Sequence, residues 1–307
     1  MTNMTVMNIH ITARCNQNCL FCKRPPDILE LKKKDIKNRI LDAKKAECET
    51  VFFTGGEPTL RNDLQELIFF TKSLGMRAEI LTNGLMLSYK EYLEKLRECG
   101  LDGVCISMQT HRSEVAETLS RKKGSLELQL KALDNLKEKK VEVTMNTVIS
   151  SYNHAHLKDF VAFISKKYPN VYSFDFLLTL PEGNALKNKD VLVRLSDMKE
   201  SLQKLMIFCR SKNIHFTVEF VPFCYMPGFE KHMLLSCDMD LIDVAGVDGC
   251  CLIGDYFKVG DDIENSKKIK YEYIRPEKCK TCSKYKICPG LHNAYAAVFG
   301  IDEVVPL

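Results

Sequence analysis

The chain has 307 residues, 45% of them hydrophobic, with a formal net charge of +4 and 14 cysteines. That length exceeds the usual single domain, so one large domain with a smaller appendage is expected. The charge is mild and no basic stripe is interleaved with aromatic residues, which argues against nucleic acid as a partner. No stretch approaches the ~18 consecutive apolar residues of a membrane span, and the N-terminus carries no signal-peptide pattern. A cytoplasmic chain with no membrane partner is expected. In a reducing compartment, clustered cysteines point to metal or redox chemistry rather than to disulfides.

In chain order, strand signals occur at residues 6–12, 51–54, 78–82, 103–107, 141–149 and 171–180. Amphipathic helix signals alternate with them at 31–48, 64–74, 89–99, 126–139 and 156–167, and 195–212 follows the sixth strand. In 64–74, Leu64, Leu67, Ile68 and Leu74 share one helical face, with Gly75 as the stop. Such alternation builds a parallel sheet, either doubly wound or curved into an incomplete barrel, with functional groups at the carboxyl ends of the strands. After a further strand-like run, 215–221, the texture changes. Residues 222–292 are rich in Cys, Gly, Pro and Asp with weak periodicity, before a final helix at 292–299. A region with so little apolar pattern needs a staple, for which bound metal is the candidate. The solitary Cys48, Cys99, Cys105 and Cys209 read as small apolar residues.

Cys15, Cys19 and Cys22 fall in one C-x3-C-x2-C loop directly after the first strand. A [4Fe–4S] cluster normally takes four cysteines, so three leave one iron open, as catalytic metals require. His10 is a weaker candidate for the fourth position because its side chain should face the sheet. The plain alternative is structural zinc. Thr54-Gly55-Gly56-Glu57-Pro58 closes the second strand. Its glycines suit a close backbone approach to a ligand, and Glu57 with strand-end carbonyls suits an ammonium group.

With Phe21 just before the last cysteine, the two motifs together resemble those of the radical S-adenosylmethionine (SAM) superfamily. The resemblance implies an α/β fold, a partial (β/α)6 barrel with a small Cys-rich C-terminal iron–sulfur domain. It also implies an open-site cluster whose electron opens SAM into a 5′-deoxyadenosyl radical that takes hydrogen from substrate. A low-potential donor, flavodoxin or ferredoxin, would supply that electron. By the same resemblance Phe21, Gly55, Gly56, Glu57, Pro58, Thr82, Asn83, Ser107, Gln109 and Asn146 surround SAM, and the turn after the sixth strand (180–184) adds contacts. Gln109 stands where the family often has Asp, which puts a ribose contact there in question.

Cys279-x2-Cys282-x5-Cys288-Pro-Gly290, with Cys224 upstream, resembles the SPASM or twitch extensions that hold auxiliary [4Fe–4S] clusters. The implied division is a core at 1–220 and an auxiliary domain at 221–307. The full seven-cysteine pattern is absent: His292 replaces one expected cysteine, so one auxiliary cluster is expected. Cys237, Cys250, Cys251 and His292 are alternative ligands, and a zinc ribbon is the alternative site. Three functions follow. One is peptide modification, with the auxiliary cluster taking an electron from a substrate radical. The second is oxidation or rearrangement of a small molecule such as a sugar, nucleoside or cofactor precursor. The third is a catalytically silent metal-bound scaffold, which the intact cysteine triad argues against. The chain begins almost at its first strand, so a fused leader-peptide-binding domain is not expected. Cys105 and Tyr225 are possible hydrogen donors, though packing is the plainer role for each.

Overall fold

The structure, a computed structural model, describes residues 5–23, 30–137, 140–233, 251–253 and 273–307. Strands β1 (Thr5–Thr12), β2 (Thr50–Gly55), β3 (Arg77–Thr82), β4 (Gly103–Ser107), β5 (Glu142–Ile149), β6 (Val171–Leu178) and β7 (His215–Glu219) are joined by helices. These are α1 (Lys33–Lys45), α2 (Leu64–Ser73), α3 (Lys90–Glu98), α4 (Ser113–Ser120), α5 (Ser125–Leu136), α6 (Leu157–Lys167), α7 (Asn184–Lys187) and α8 (Leu195–Ser211). A three-residue strand β8 (Cys251–Ile253) lies beyond β1. The two-residue strands β9 (Tyr273–Ile274) and β10 (Leu291–His292) pair with each other ahead of helix α9 (Asn293–Phe299).

The sheet order is β7-β6-β5-β4-β3-β2-β1-β8, with every neighbour parallel. This order decides between the two architectures left open by the sequence. A doubly wound sheet reverses direction at a switch point, but here each crossover from β1 to β7 steps the same way. Right-handed crossovers then put the helices on one face, and the other face forms the inside of an incomplete barrel.

Burial follows that geometry. Ile9, Ile11, Val51, Phe53, Ile80, Ile106, Met145, Phe174, Phe176, Phe216 and Val218 are buried in one continuous core. Strands β3 and β5 alternate strictly between buried and half-buried positions. Their second set, Asn146 among them, belongs to the concave face.

Differences from the sequence reading lie mainly at element ends. The sixth strand stops at Leu178 and the seventh at Glu219, two residues earlier than expected in each case. The first helix is shorter than 31–48. Helix α4 was not anticipated. Its eight residues carry only a short apolar stripe, Ala116 and Leu119 being buried, and Arg112 gives it no side-chain cap. Among the described residues no helix is long and apolar enough to cross a membrane.

Candidate functional site

Cys15, Cys19 and Cys22 lie on the loop leaving β1, each half-buried and none in a disulfide. Neighbouring elements hold that loop by its backbone. The Gly56 and Glu57 amides donate to the carbonyls of Thr12 (2.7 Å) and Arg14 (2.8 Å). From the end of α4, the carbonyls of Ser120 and Leu119 accept from Asn18 (3.1 Å) and Leu20 (2.9 Å). From the turn after β6, the Asn184 amide donates to Cys22 O (2.8 Å) and its side chain to Cys19 O (2.9 Å). Phe21 packs on a small apolar cluster of Leu20, Leu119, Ala185, Val191 and Leu192.

The Gly-Gly run also makes room within the chain itself. A Cβ on Gly56 would sit 2.2 Å from Arg14 O, so what approaches closely is the cysteine loop's own backbone. Gly183 does the same on the far side, where a Cβ would lie 2.4 Å from Cys22 O.

Glu57 is fully buried, and its carboxylate takes the Thr59 amide (3.1 Å), the Thr59 hydroxyl, the Thr82 hydroxyl (2.7 Å) and the Asn83 amide (2.7 Å). Burial pushes its carboxyl up from the ordinary range, while these donors pull it down. Thr82 and Asn83 thereby join β3 to the β2 loop. The Asn83 side-chain amide donates to Asn16 Oδ1 (2.7 Å), inside the cysteine loop. Pro58 starts a short 3-10 turn capped by Glu57. Gln109 is likewise engaged: it donates to Ser107 Oγ (2.9 Å) and accepts the Val148 amide (2.6 Å).

Asp175, Thr217 and Lys23 were not foreseen, although Ser107 and Asn146 were. Register puts Ser107, Asn146, Asp175 and Thr217 in one row across β4 to β7. Asp175 accepts the Thr217 hydroxyl (2.8 Å), and burial pushes its carboxyl up. Lys23, directly after Cys22, reaches Glu182 (3.6 Å) and lies 4.1 Å from the Phe220 ring centre. Period-two alternation could have marked the row's concave parity, but only register aligns it across strands.

The second cysteine group comes from three separate turns. Cys224 sits in a 3-10 turn after β7, Cys279 and Cys282 lie at another near its end, and Cys288 lies on a third. All four line one cavity with Phe223, Arg275 and Tyr285 and an empty volume of about 350 Å³, open solvent included. Burial pushes the Cys224, Cys279 and Cys288 thiols up, and neighbouring thiols add to it. Backbone amides of Lys284 and Leu307 each lie 3.4 Å from Cys282 Sγ. Among the described residues, no three His, Cys, Asp or Glu side chains are gathered tightly enough for a single metal ion. A cage of thiols with amides directed at sulfur is a donor set suited to an iron–sulfur cluster.

Cys237 and Cys250 lie outside the described residues, and Cys251 is placed only by its backbone in β8. His292 caps α9, accepting the Ala294 amide at Nδ1 (3.1 Å), and burial lowers its pKa to about 4. His10 lies inside β1, its pKa also lowered to about 4 by burial and then by Arg39. Cys105 is buried in β4, and the Tyr225 hydroxyl donates to Glu303 O (2.7 Å), so both pack.

The family model of the Radical SAM superfamily matches residues 9–164, just over half of the chain. The chain belongs to the radical SAM superfamily. That family implies a [4Fe–4S] cluster and SAM. The Fe-coproporphyrin III synthase of Methanosarcina barkeri is 31% identical over 215 residues, 67% of this chain and 51% of that protein. The PqqA peptide cyclase of Granulibacter bethesdensis is 31% identical over 151 residues, 48% of this chain and 40% of that one. This radical SAM chain thus spans about half the length of those relatives. Streptococcus suis SuiB bound to its precursor peptide SuiA superposes with a TM-score of 0.66 at 18% identity, covering 99% of this chain and 75% of that one. At that identity the likeness shows the fold alone.

Proposed function

We propose that this radical SAM protein is an enzyme that modifies a peptide, and that residues 221–307 form an auxiliary domain attached to a core at 1–220. In this reading Cys15, Cys19 and Cys22 hold the SAM-opening cluster, and Cys224, Cys279, Cys282 and Cys288 hold one auxiliary [4Fe–4S] cluster. When bound, the first cluster supplies the electron that splits SAM into methionine and the 5′-deoxyadenosyl radical, with flavodoxin or ferredoxin as the donor. The observation that carries the reading is the convergence of four thiols from three turns on one cavity.

The chain's own residues position the ligands. The Gly55-Gly56 backbone, the ends of β3 and β4 (Asn83, Ser107) and Asn146 within β5 border SAM. Glu57, Thr82 and Gln109 act mainly by fixing those strand ends through the hydrogen bonds above. The row through Asp175 and Thr217 lines the concave face toward substrate. A substrate that has lost a hydrogen atom must release one more electron and a proton to leave as a closed-shell oxidised product. A [4Fe–4S] cluster held by Cys224, Cys279, Cys282 and Cys288 would supply an acceptor for that electron. Peptide as substrate is supported by the 31% identity to a peptide cyclase over 48% of this chain, alongside a fold likeness that covers 75% of a peptide-bound structure. Oxidation or rearrangement of a small molecule is the second reading, favoured by the longer alignment with a porphyrin-named synthase.

Anaerobically reconstituted protein is expected to contain about eight irons, two clusters of four, and about four after Cys279, Cys282 and Cys288 are changed to Ala. Eight irons in that variant would refute the cage. Dithionite-reduced protein with SAM is expected to release 5′-deoxyadenosine, and Cys19→Ala to abolish it. Undiminished release in that variant overturns the first site.

A further inference from the structure

We propose that residues 304–307 form a strap that closes the four-cysteine cage and raises the reduction potential of the cluster it would hold, through the Leu307 backbone amide directed at the Cys282 sulfur. This rests on the reading of the cage as an auxiliary-cluster site.

The strap makes paired contacts with the cage. The Leu307 amide donates to Cys282 Sγ (3.4 Å), while the Leu307 carbonyl accepts the Ser283 amide (2.9 Å). Two residues earlier, Val305 lines the same cavity as Cys224. Between them stands Pro306, which has no N–H to direct elsewhere. Val304, Val305 and Pro306 form part of the cavity wall, and Val304 is buried. One short run therefore borders a cavity lined by cysteines 58 positions apart in sequence, Cys224 and Cys282.

Upstream, the strap is tied to the barrel. The Glu303 carboxylate accepts the Ser196 hydroxyl (2.7 Å), Arg194 Nη1 (3.2 Å) and the Tyr295 hydroxyl. Ser196 and Arg194 stand at the start of α8. The Glu303 carbonyl accepts the hydroxyl of Tyr225, next to Cys224, and Lys278 Nζ donates to Asp302 O (2.8 Å). The strap's position is thus set by the barrel and not by the cage alone.

The electrostatic consequence has a definite sign. A reduced cluster carries one more negative charge, and that charge spreads onto its thiolates. Amide dipoles pointing at sulfur stabilise the reduced form more than the oxidised one, so each raises the potential. Removing an amide while keeping the wall lowers it.

Leu307→Pro removes the amide and keeps the carbonyl that receives Ser283. Leu307→Ala keeps both and trims a side chain that is 41% exposed. Both full-length variants would be reconstituted anaerobically, assayed for iron, and titrated potentiometrically with EPR detection. The expected result is about eight irons throughout, a more negative auxiliary potential in Leu307→Pro only, and an unchanged first-cluster potential. Iron falling toward about four in Leu307→Pro but not in Leu307→Ala, with an unchanged thermal midpoint, also supports the strap. Full iron with an unshifted auxiliary potential in Leu307→Pro overturns it. Wild-type protein holding only about four irons overturns the cage reading itself, and the strap with it.

Discussion

Around Cys15, Cys19 and Cys22 the chain is gripped by ends of barrel elements, whereas Cys224, Cys279, Cys282 and Cys288 are held by short turns, a two-residue strand pair and the strap. The first loop bonds to the β2 loop, the end of α4, the Asn83 side chain and the turn after β6. Both sites touch buried apolar clusters, Leu20 and Leu119 in the small one and Cys224 and Cys279 in the main core, so the contrast lies in the backbone bonds that hold each loop. The cage's nearest regular elements are β9, β10 and the seven-residue α9. The difference teaches that one cysteine loop is braced by backbone bonds from several barrel elements, while the other cage is assembled from short turns, whose rigidity is expected to lean more on a bound cofactor.

The comparison can be broken from either side. The largest effect is expected from Gly56→Val. Its Cβ must displace the Arg14 carbonyl, 2.2 Å away, and neither partner is a flexible side chain. A loss of about 3 kcal/mol or more is expected, read as a lower thermal midpoint and loss of the first cluster's iron. A normal midpoint would mean that the cysteine loop is less tightly docked than the barrel ends imply.

The middle effect comes from omitting iron. In iron-free protein the amides of Asn18 and Leu20, donated to the end of α4, should keep hydrogen-exchange protection within about tenfold of the holo form. The amides of Cys282 and Leu307 should lose about a hundredfold or more. Equal losses at the two sites would remove the contrast.

The smallest effect is expected from Glu57→Gln. The amide keeps one acceptor oxygen but turns an NH2 toward groups that donate to Glu57 in the native chain, Thr59, Thr82 and Asn83. A cost of about 1–3 kcal/mol is expected by thermal or denaturant unfolding, with the first cluster retained. If SAM affinity falls while stability does not, Glu57 is a direct ligand contact and not chiefly a clamp.

Much of this was legible in the sequence because it is local. C-x3-C-x2-C, the Gly-Gly-Glu-Pro run and Cys279-x2-Cys282-x5-Cys288 are defined within a few residues of chain. Strand–helix alternation follows from periods of two and 3.6 that need no partner to be seen. Local reading did not show the partners that Gly56 and Glu57 have within the chain, Arg14, Thr59, Thr82 and Asn83.

What the sequence by itself determined, then, was the kind of chemistry and the succession of elements. The tertiary structure alone decided that the sheet is wound in one direction, because strand order is a property of crossovers and not of any strand's residues. It alone aligned Ser107, Asn146, Asp175 and Thr217, since register depends on pairings between segments far apart in the chain. And it alone brought residues 304–307 to the cage of Cys224 and Cys282, because a backbone amide leaves no mark in a sequence of side chains.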